Sequence, residues 1–363
     1  MAEPLKERIN EASVGVLADG LAAVRPSFEH AAFVRDALDG LAGLELKARV
    51  RWVAGALERR LALPFPEAGA VLRECAEKAR FDMWSGWPVT EYVGTHGTAH
   101  LAEAMETIAV ITPYATGEFA VRPLLERHRE EALEVMLGWA SSPDEHLRRL
   151  ASEGTRARLP WGARVGWLME PGPTLPILDA LRDDPSEYVR RSVANHVNDL
   201  AKEHPEFAVG LLARWRGEGG SHVEAVLRHA LRGLLRAGDT GALALVGAVP
   251  GNGTVERLEI AEPEVPVGGR LRFTVALSAG EPGPLVLKYV LRRDGSRRTF
   301  HLGNRRAVAA GERFTVAKSH SYRPVTTRRE PPGPRVLEVV VNGEVRASAS
   351  FKVVNQIGVG ESW

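Results

Sequence analysis

The sequence predicts two architectures in one chain, a mainly α helical-repeat solenoid followed by an all-β sandwich. Three observations carry this. Up to about Val246, apolar residues recur at three- and four-residue steps; beyond Thr254 they alternate at every second position; and within the helical part a polar pattern returns after 42 residues. PDEHLRRLASEG, from Pro143 to Gly154, aligns with PSEYVRRSVANH, from Pro185 to His196. Pro143 falls on Pro185, Leu147 on Val189, Arg148 on Arg190 and Arg149 on Arg191. A period of this length is HEAT-like: each pair of helices buries its apolar face only against its neighbours, and the stack curves to present a concave binding surface.

In the helical part, Leu147, Leu150 and Ala151 form one apolar stripe, and Val189, Val193, Val197 and Leu200 form the next. Turns are expected at Ser142-Pro143, Asp184-Pro185 and His204-Pro205. A weaker third copy starts near Glu224, with Val226, Leu227, Ala230, Leu231, Leu234 and Leu235 on one face. The Gly- and Pro-containing stretch Ala248 to Thr254 ends the helical pattern.

After it, Arg270 to Ala279, Leu285 to Asp294, Glu312 to His320, Arg335 to Val341 and Glu344 to Val354 read as strands. Asp294-Gly295 and Asn342-Gly343 supply two-residue hairpin turns. About seven short strands in roughly 110 residues fit an immunoglobulin-like sandwich, without the disulfide of antibody domains. The expected domains are residues 1–247 for the HEAT-like part, 248–253 for a linker and 254–363 for the β-sandwich.

With 363 residues and 44% hydrophobic content, the chain can bury a core in each part. No run approaches eighteen uninterrupted apolar residues, and MAEPLKERINEA lacks the basic-then-apolar order of a signal peptide. Cys75 is the single cysteine, so no intrachain disulfide or cysteine-based zinc site is expected, and a reduced cytoplasmic setting follows. From Thr254 to Trp363 there are 18 Lys and Arg against 11 Asp and Glu, a balance of +7; this leaves 29 against 35, or −6, before Thr254. A basic C-terminal part suits a polyanionic partner.

The stretch from Pro143 to Trp161 carries the densest chemistry: a carboxylate, Glu153, beside a turn with Arg156, Arg158 and Trp161. Gly154 reads as the residue past a helix end, so Glu153 would face the negative pole of its own helix and need compensation. Pairing with Arg149 and Arg156 alone would supply it. Glu118, after Thr116, falls in a first helical turn, where an acid is favoured on purely electrostatic grounds. Pro123 should kink or restart that helix.

Asn195, Asn198 and Asp199 line a face opposite Val193 and Val197, with Arg191 extending the stripe; a solvated surface fits equally well. Arg148, Arg149, Arg190 and Arg191 would align into a ladder able to follow phosphates or to make interhelical ion pairs. In the β part, Arg292, Arg293, Arg297 and Arg298 surround the Asp294-Gly295 turn, and Arg323, Arg328 and Arg329 occupy a Pro-bounded loop. Such arginines suit phosphate or minor-groove contacts; scattered surface charge is the plain alternative. His96 and His100 share metal-pair spacing without an HExxH motif or a third ligand, and no phosphate-binding glycine loop is present. Neither metal nor cofactor is expected.

Three blocks, SEGTRARLPW, TGEFAVRPLL and SVANHVNDLAKEHP, together resemble the AlkC family of bacterial DNA alkylation repair glycosylases over about residues 5 to 245. The strands after Thr254 are similar to the C-terminal immunoglobulin-like domain of a subset of that family. The resemblance implies removal of cationic N3-methylated bases, 3-methylcytosine and 3-methyladenine, from double-stranded DNA. It implies catalytic roles for Glu118 and Glu153, and lesion contacts by Trp161, Asn195 and Asp199. DNA contacts are expected from Arg148, Arg149, Arg156, Arg158, Arg190 and Arg191, and from Arg297, Arg298, Arg328 and Arg329 of the β domain. A cationic base leaves as a neutral molecule, so catalysis can rest on carboxylates that stabilise positive charge on the sugar and orient water. The lysine in these blocks, Lys202, comes late in its helix, beyond the Asn and Asp stripe, which favours a monofunctional enzyme over one that forms a Schiff base. A monomer acting at the nucleoid, with no membrane or obligate protein partner, is the expectation. The rivals are a non-catalytic interaction scaffold and a DNA-damage sensor.

Overall fold

The computed structural model describes residues 4–79, 81–323 and 331–355. These divide into two compact units, residues 1–204 with 215–230, and residues 205–214 with 231–363. Among the described residues, no helix is long and apolar enough to cross a membrane.

The first unit is helical. Two of its helices, Glu145–Gly154 and Glu187–Leu200, are the repeated segments, and they pack on each other. Both start after a proline turn, and Asp144 caps the first by accepting from the His146 N–H at 2.7 Å. Leu150 and Ala151 are buried on one helix, and Val189, Val193, Val197 and Leu200 on the other, as the stripes predict. The third copy begins as the helix Val223–Ala230, which packs against Glu187–Leu200. Its apolar face stops at Ala230; a separate short helix, Arg232–Ala237, follows and belongs to the second unit.

Two local expectations change. Gly154 is the last residue of its helix, not a left-handed residue beyond it, and Thr155 is the cap. Glycine is required there for packing, since a Cβ would lie 2.6 Å from Val121 and 3.0 Å from Met136. Glu118 lies in a turn before the helix Val121–Arg127, not in its first turn. Pro123 occupies the third helical position, where the missing N–H breaks no helical bond.

Among the described residues the second unit holds eight strands: β1 (Thr254–Ile260), β2 (Glu264–Pro266), β3 (Arg270–Ser278), β4 (Gly283–Arg293), β5 (Ser296–Val308), β6 (Arg313–Ser321), β7 (Gly333–Val341) and β8 (Glu344–Val354). They form a three-stranded sheet, β1-β3-β6, and a five-stranded sheet, β2-β8-β7-β4-β5. Leu271, Phe273, Val275, Tyr289, Leu337, Val339 and their neighbours fill one core between them, the immunoglobulin-like arrangement. The Asn342-Gly343 turn has positive φ at both residues, 45° and 89°, as a tight hairpin requires.

Candidate active site

The helix Glu145–Gly154 carries Arg149 and Glu153 one turn apart on the same face. Glu153 is only 6% exposed. Its position at the negative helix end is compensated three times: Arg156 Nη1 donates to Oε1 at 2.6 Å, Ser192 Oγ donates to Oε2 at 2.6 Å, and Arg149 Nη2 stands 3.6 Å from Oε1. Arg149 also reaches Glu118, with Nη1 2.5 Å from Oε2, and donates to Thr116 Oγ1 at 2.8 Å. The Thr116 hydroxyl in turn donates to Glu118 Oε2 at 3.0 Å. On the other side, Arg156 Nε and Nη2 grip Asp199 Oδ2 at 2.9 and 2.8 Å.

Glu118, Arg149, Glu153, Arg156 and Asp199 therefore form one chain of alternating charge. Three carboxylates meet two guanidinium groups, which leaves one negative charge in excess within the chain, offset at its Asp199 end by the half-exposed Lys202. Burial gives that excess a range it would lack in water. Lys202 touches the far end, 3.5 Å from Asp199, but it is half-exposed and paired, not a desolvated amine. Beneath the chain, His196 is fully buried, its Nδ1 3.1 Å from the Ser152 carbonyl. Burial, with the Arg156 charge adding to it, pushes the imidazole down to about 3, so it is neutral.

The turn after Glu153 is held from below by Arg122, which is 1% exposed. Its guanidinium donates to the carbonyls of Gly154 at 3.1 Å, Arg156 at 2.7 Å and Ala163 at 2.9 Å. Burial lowers it to about 10, so it stays charged at neutral pH. Lys47 Nζ secures the other side by donating to the Trp161 carbonyl at 2.8 Å. Trp161 sits in the left-handed region, φ 64°, and is 58% exposed. A bulky residue there is strained, and strain of this kind gathers at functional sites. Its indole lies parallel to Trp87, centroids 6.4 Å apart, and Trp87 stacks on Phe119, the neighbour of Glu118, at 5.3 Å. An aromatic row thus runs from the acidic chain to an exposed indole.

The arginine ladder divides into two kinds of residue. Arg148 holds the Asp184 carboxylate through Nε at 2.7 Å and the carbonyls of Ser142 and Pro143 at 2.9 Å. Arg190 braces the next repeat in the same way, reaching the carbonyls of Asp184 at 2.6 Å and Pro185 at 2.8 Å. Both hold turns; Arg148 does so with Nε, Nη1 and Nη2, and Arg190 with Nη1. Arg149 turns into the site, whereas Arg191, its equivalent, is exposed and pairs with Glu187. Arg158 pairs with Glu203. Asn195 is half-buried, with its Oδ1 3.0 Å from His229 Nε2. Asn198 and Asp199 are buried, so this stripe is not a solvated face.

In the second unit, Arg297 and Arg298 lie on β5, with Arg298 over the Phe300 ring. Arg328 and Arg329 lie outside the described residues. Arg122, Ser192, His196, Trp87 and Tyr188 belong to the site without standing out in the sequence. Tyr188 is 43% exposed and carries the Arg149 guanidinium 5.3 Å from its ring centroid. A signal exists for Arg122 alone: an arginine among Val121, Leu124 and Leu125 has no apolar reason to be there.

Residues 115–234 match the DNA alkylation repair enzyme family, and residues 254–355 match the C-terminal Ig-like domain of protein YhaZ. Over 96% of its length the chain is 34% identical to the uncharacterized protein YhaZ of Bacillus subtilis (strain 168), covering 99% of that protein. It is also similar to the solved structure of Pseudomonas fluorescens alkylpurine DNA glycosylase AlkC bound to DNA containing an abasic site analog. That likeness has a TM-score of 0.88 and 32% identity, and it covers 97% of this chain and 100% of the other. A helical site with paired acids, an immunoglobulin-like second domain and full-length likeness to both proteins converge on one assignment: the chain belongs to the AlkC family of DNA alkylation repair glycosylases, in the subset with a C-terminal immunoglobulin-like domain.

Proposed function

We propose that the chain hydrolyses the N-glycosidic bond of cationic N3-methylated bases, 3-methylcytosine and 3-methyladenine, in duplex DNA. The observation that carries this reading is the chain of alternating charge from Glu118 to Asp199, buried at Glu153, Arg156 and Asp199 and richer in carboxylates than in guanidinium groups, beside the exposed Trp161. The C1′–N bond breaks with its electron pair moving to the base, which departs neutral. Positive charge then grows on the deoxyribose, and the excess carboxylate charge stabilises it. Glu118 Oε2 takes the bonds from Thr116 and Arg149, and Oε1 has no protein partner among the described residues. Oε1 is therefore the atom assigned to the attacking water: it accepts the proton as the water oxygen bonds C1′. Glu153, fixed by Arg156 and Ser192, acts electrostatically. Trp161 packs against the lesion base or sugar, with cation–π attraction favouring a charged base. Asp199 holds Arg156 in place, and Asn195 is a peripheral polar contact.

We assign glycosylase chemistry to residues 1–247, a linker to 248–253 and DNA contact to 254–363, with the chain working as a monomer in the cytoplasm at the nucleoid. Arg191 and Arg297, both exposed, and the half-buried Arg298 are the phosphate contacts favoured by position. The test is incubation with duplexes containing 3-methylcytosine or 3-methyladenine, in chelator and without nucleotide, followed by alkali to cleave abasic sites. Release of free methylated base supports the reading. Intact strands at enzyme excess would contradict it and favour a sensor or scaffold.

A further inference from the structure

Strand β4 alternates cleanly: Leu285, Leu287, Tyr289 and Leu291 enter the sandwich core, and Val286, Lys288 and Val290 face outward on the five-stranded sheet. Lys288 is nevertheless only 4% exposed, and its Nζ is buried with no hydrogen-bond partner among the described residues. Across the ladder it stands opposite His301 of β5 and Val340 of β7. The helix Arg232–Ala237 packs on β5 and brings Arg236 near, and Arg297 approaches from the start of β5. The nearest acid along β7, Glu338, is taken by Arg292 at 2.8 Å.

A buried ammonium among cations is costly unless an anion serves it. Burial first, then the Arg236 and Arg297 charges, lowers Lys288 to about 8. Arg236, Arg297 and His301 are exposed, so their long or planar side chains can part for a ligand that Lys288 alone could not reach.

We propose that Lys288, with Arg236, Arg297 and His301, forms a phosphate site on the outer face of the five-stranded sheet that takes one backbone phosphodiester of duplex DNA. The proposal rests on the reading that this chain acts on DNA. The two anionic oxygens of a phosphodiester match several converging donors, and charge-assisted bonds to phosphate position a protein without reading sequence. The contact therefore serves any duplex, damaged or not.

The experiment measures affinity for an undamaged duplex across a salt series, with melting temperature, for the parent, Lys288→Met, and the double variant Arg236→Gln/Arg297→Gln. Lys288→Met removes an unpartnered buried charge while nearly keeping the volume, so its melting temperature should equal or exceed the parent's. Its slope of log affinity against log salt should shrink by about 0.9, and that of the double variant by about the same amount, since the site neutralises one phosphate. A folded Lys288→Met with the parent's slope overturns the site. Should Lys288→Met fail to fold, the double variant decides by the same criterion. Inorganic phosphate that raises the melting temperature of the parent but not of Lys288→Met, with equal DNA slopes, assigns the site to a free anion and overturns the DNA assignment. A parent that binds no duplex sinks the DNA reading itself, and this site with it.

Discussion

The helices Glu145–Gly154 and Glu187–Leu200 start from the same sequence pattern and end in different work. Arg148 and Arg190 repeat one task, each holding the carbonyls of the two residues that open its repeat. One position later the copies part. Arg149 joins two carboxylates inside the site, and Arg191 makes a single exposed pair. Glu153 becomes Asn195, and Arg156 becomes Asn198. Helical periodicity explains this division: neighbouring positions are rotated by about 100°, so one faces the packed turn while the next faces the site. A repeat can thus keep its scaffold residues and vary its chemistry independently.

The difference between the copies is broken most severely at Arg156. Replacing it with Gln leaves Glu153 and Asp199 buried without their shared counter-ion, and about 3–5 kcal/mol of stability should be lost. Thermal or urea denaturation checks this, and an unchanged midpoint would mean the chain of charges is not cooperative. Arg190→Gln should cost about 1–3 kcal/mol, since it removes bonds to two carbonyls, and Arg148→Gln should cost more, since it also takes the guanidinium from the buried Asp184 carboxylate. Arg191→Gln should leave stability unchanged. A cost at 191 matching theirs would remove the distinction between bracing and surface positions.

Acid should act through His196. Its folded value, about 3, lies below the ordinary 6.5, so the unfolded chain takes up a proton that the folded one refuses. Stability contributed by the neutral ring is complete above pH 6.5 and falls as pH drops toward 3. At pH 5 the loss is about 2 kcal/mol. His196→Gln should flatten this part of the pH–stability curve; an equally steep curve would locate the acid sensitivity elsewhere.

Trp161→Ala should perturb stability little, because the indole is exposed. It should reduce preference for lesion DNA by about tenfold, in line with one cation–π contact of up to about 2 kcal/mol, and leave plain duplex binding nearly unchanged. Equal losses on both duplexes would place the indole against the backbone.

Much of the fold is legible in the amino-acid sequence alone. The 42-residue offset is visible because proline turns and twin arginines survive in both copies, and the β unit because its inward positions are apolar at every second residue. β5 is hidden for a physical reason: as an edge strand its outward face is solvated, and SRRTFHLGNRRAV carries too many polar residues to alternate. Glu118 and Glu153 stand out as acids in distinctive blocks, but their joining by Arg149 needs the turn before Val121 and the packing of one helix on another. Arg122 acts through carbonyls up to 41 residues away, which leave no local trace. The positive φ of Trp161 is likewise held by Arg122 and Lys47 from outside its own segment.

That carboxylates in this chain of charges carry base excision is tested most directly by single-turnover release of 3-methylcytosine from duplex DNA, comparing the parent with Glu153→Gln and Glu118→Gln. Each variant should be slower by about one to three orders of magnitude, equivalent to about 1.4–4 kcal/mol of transition-state stabilisation, with duplex affinity retained. Parent-like rates in both variants would contradict it.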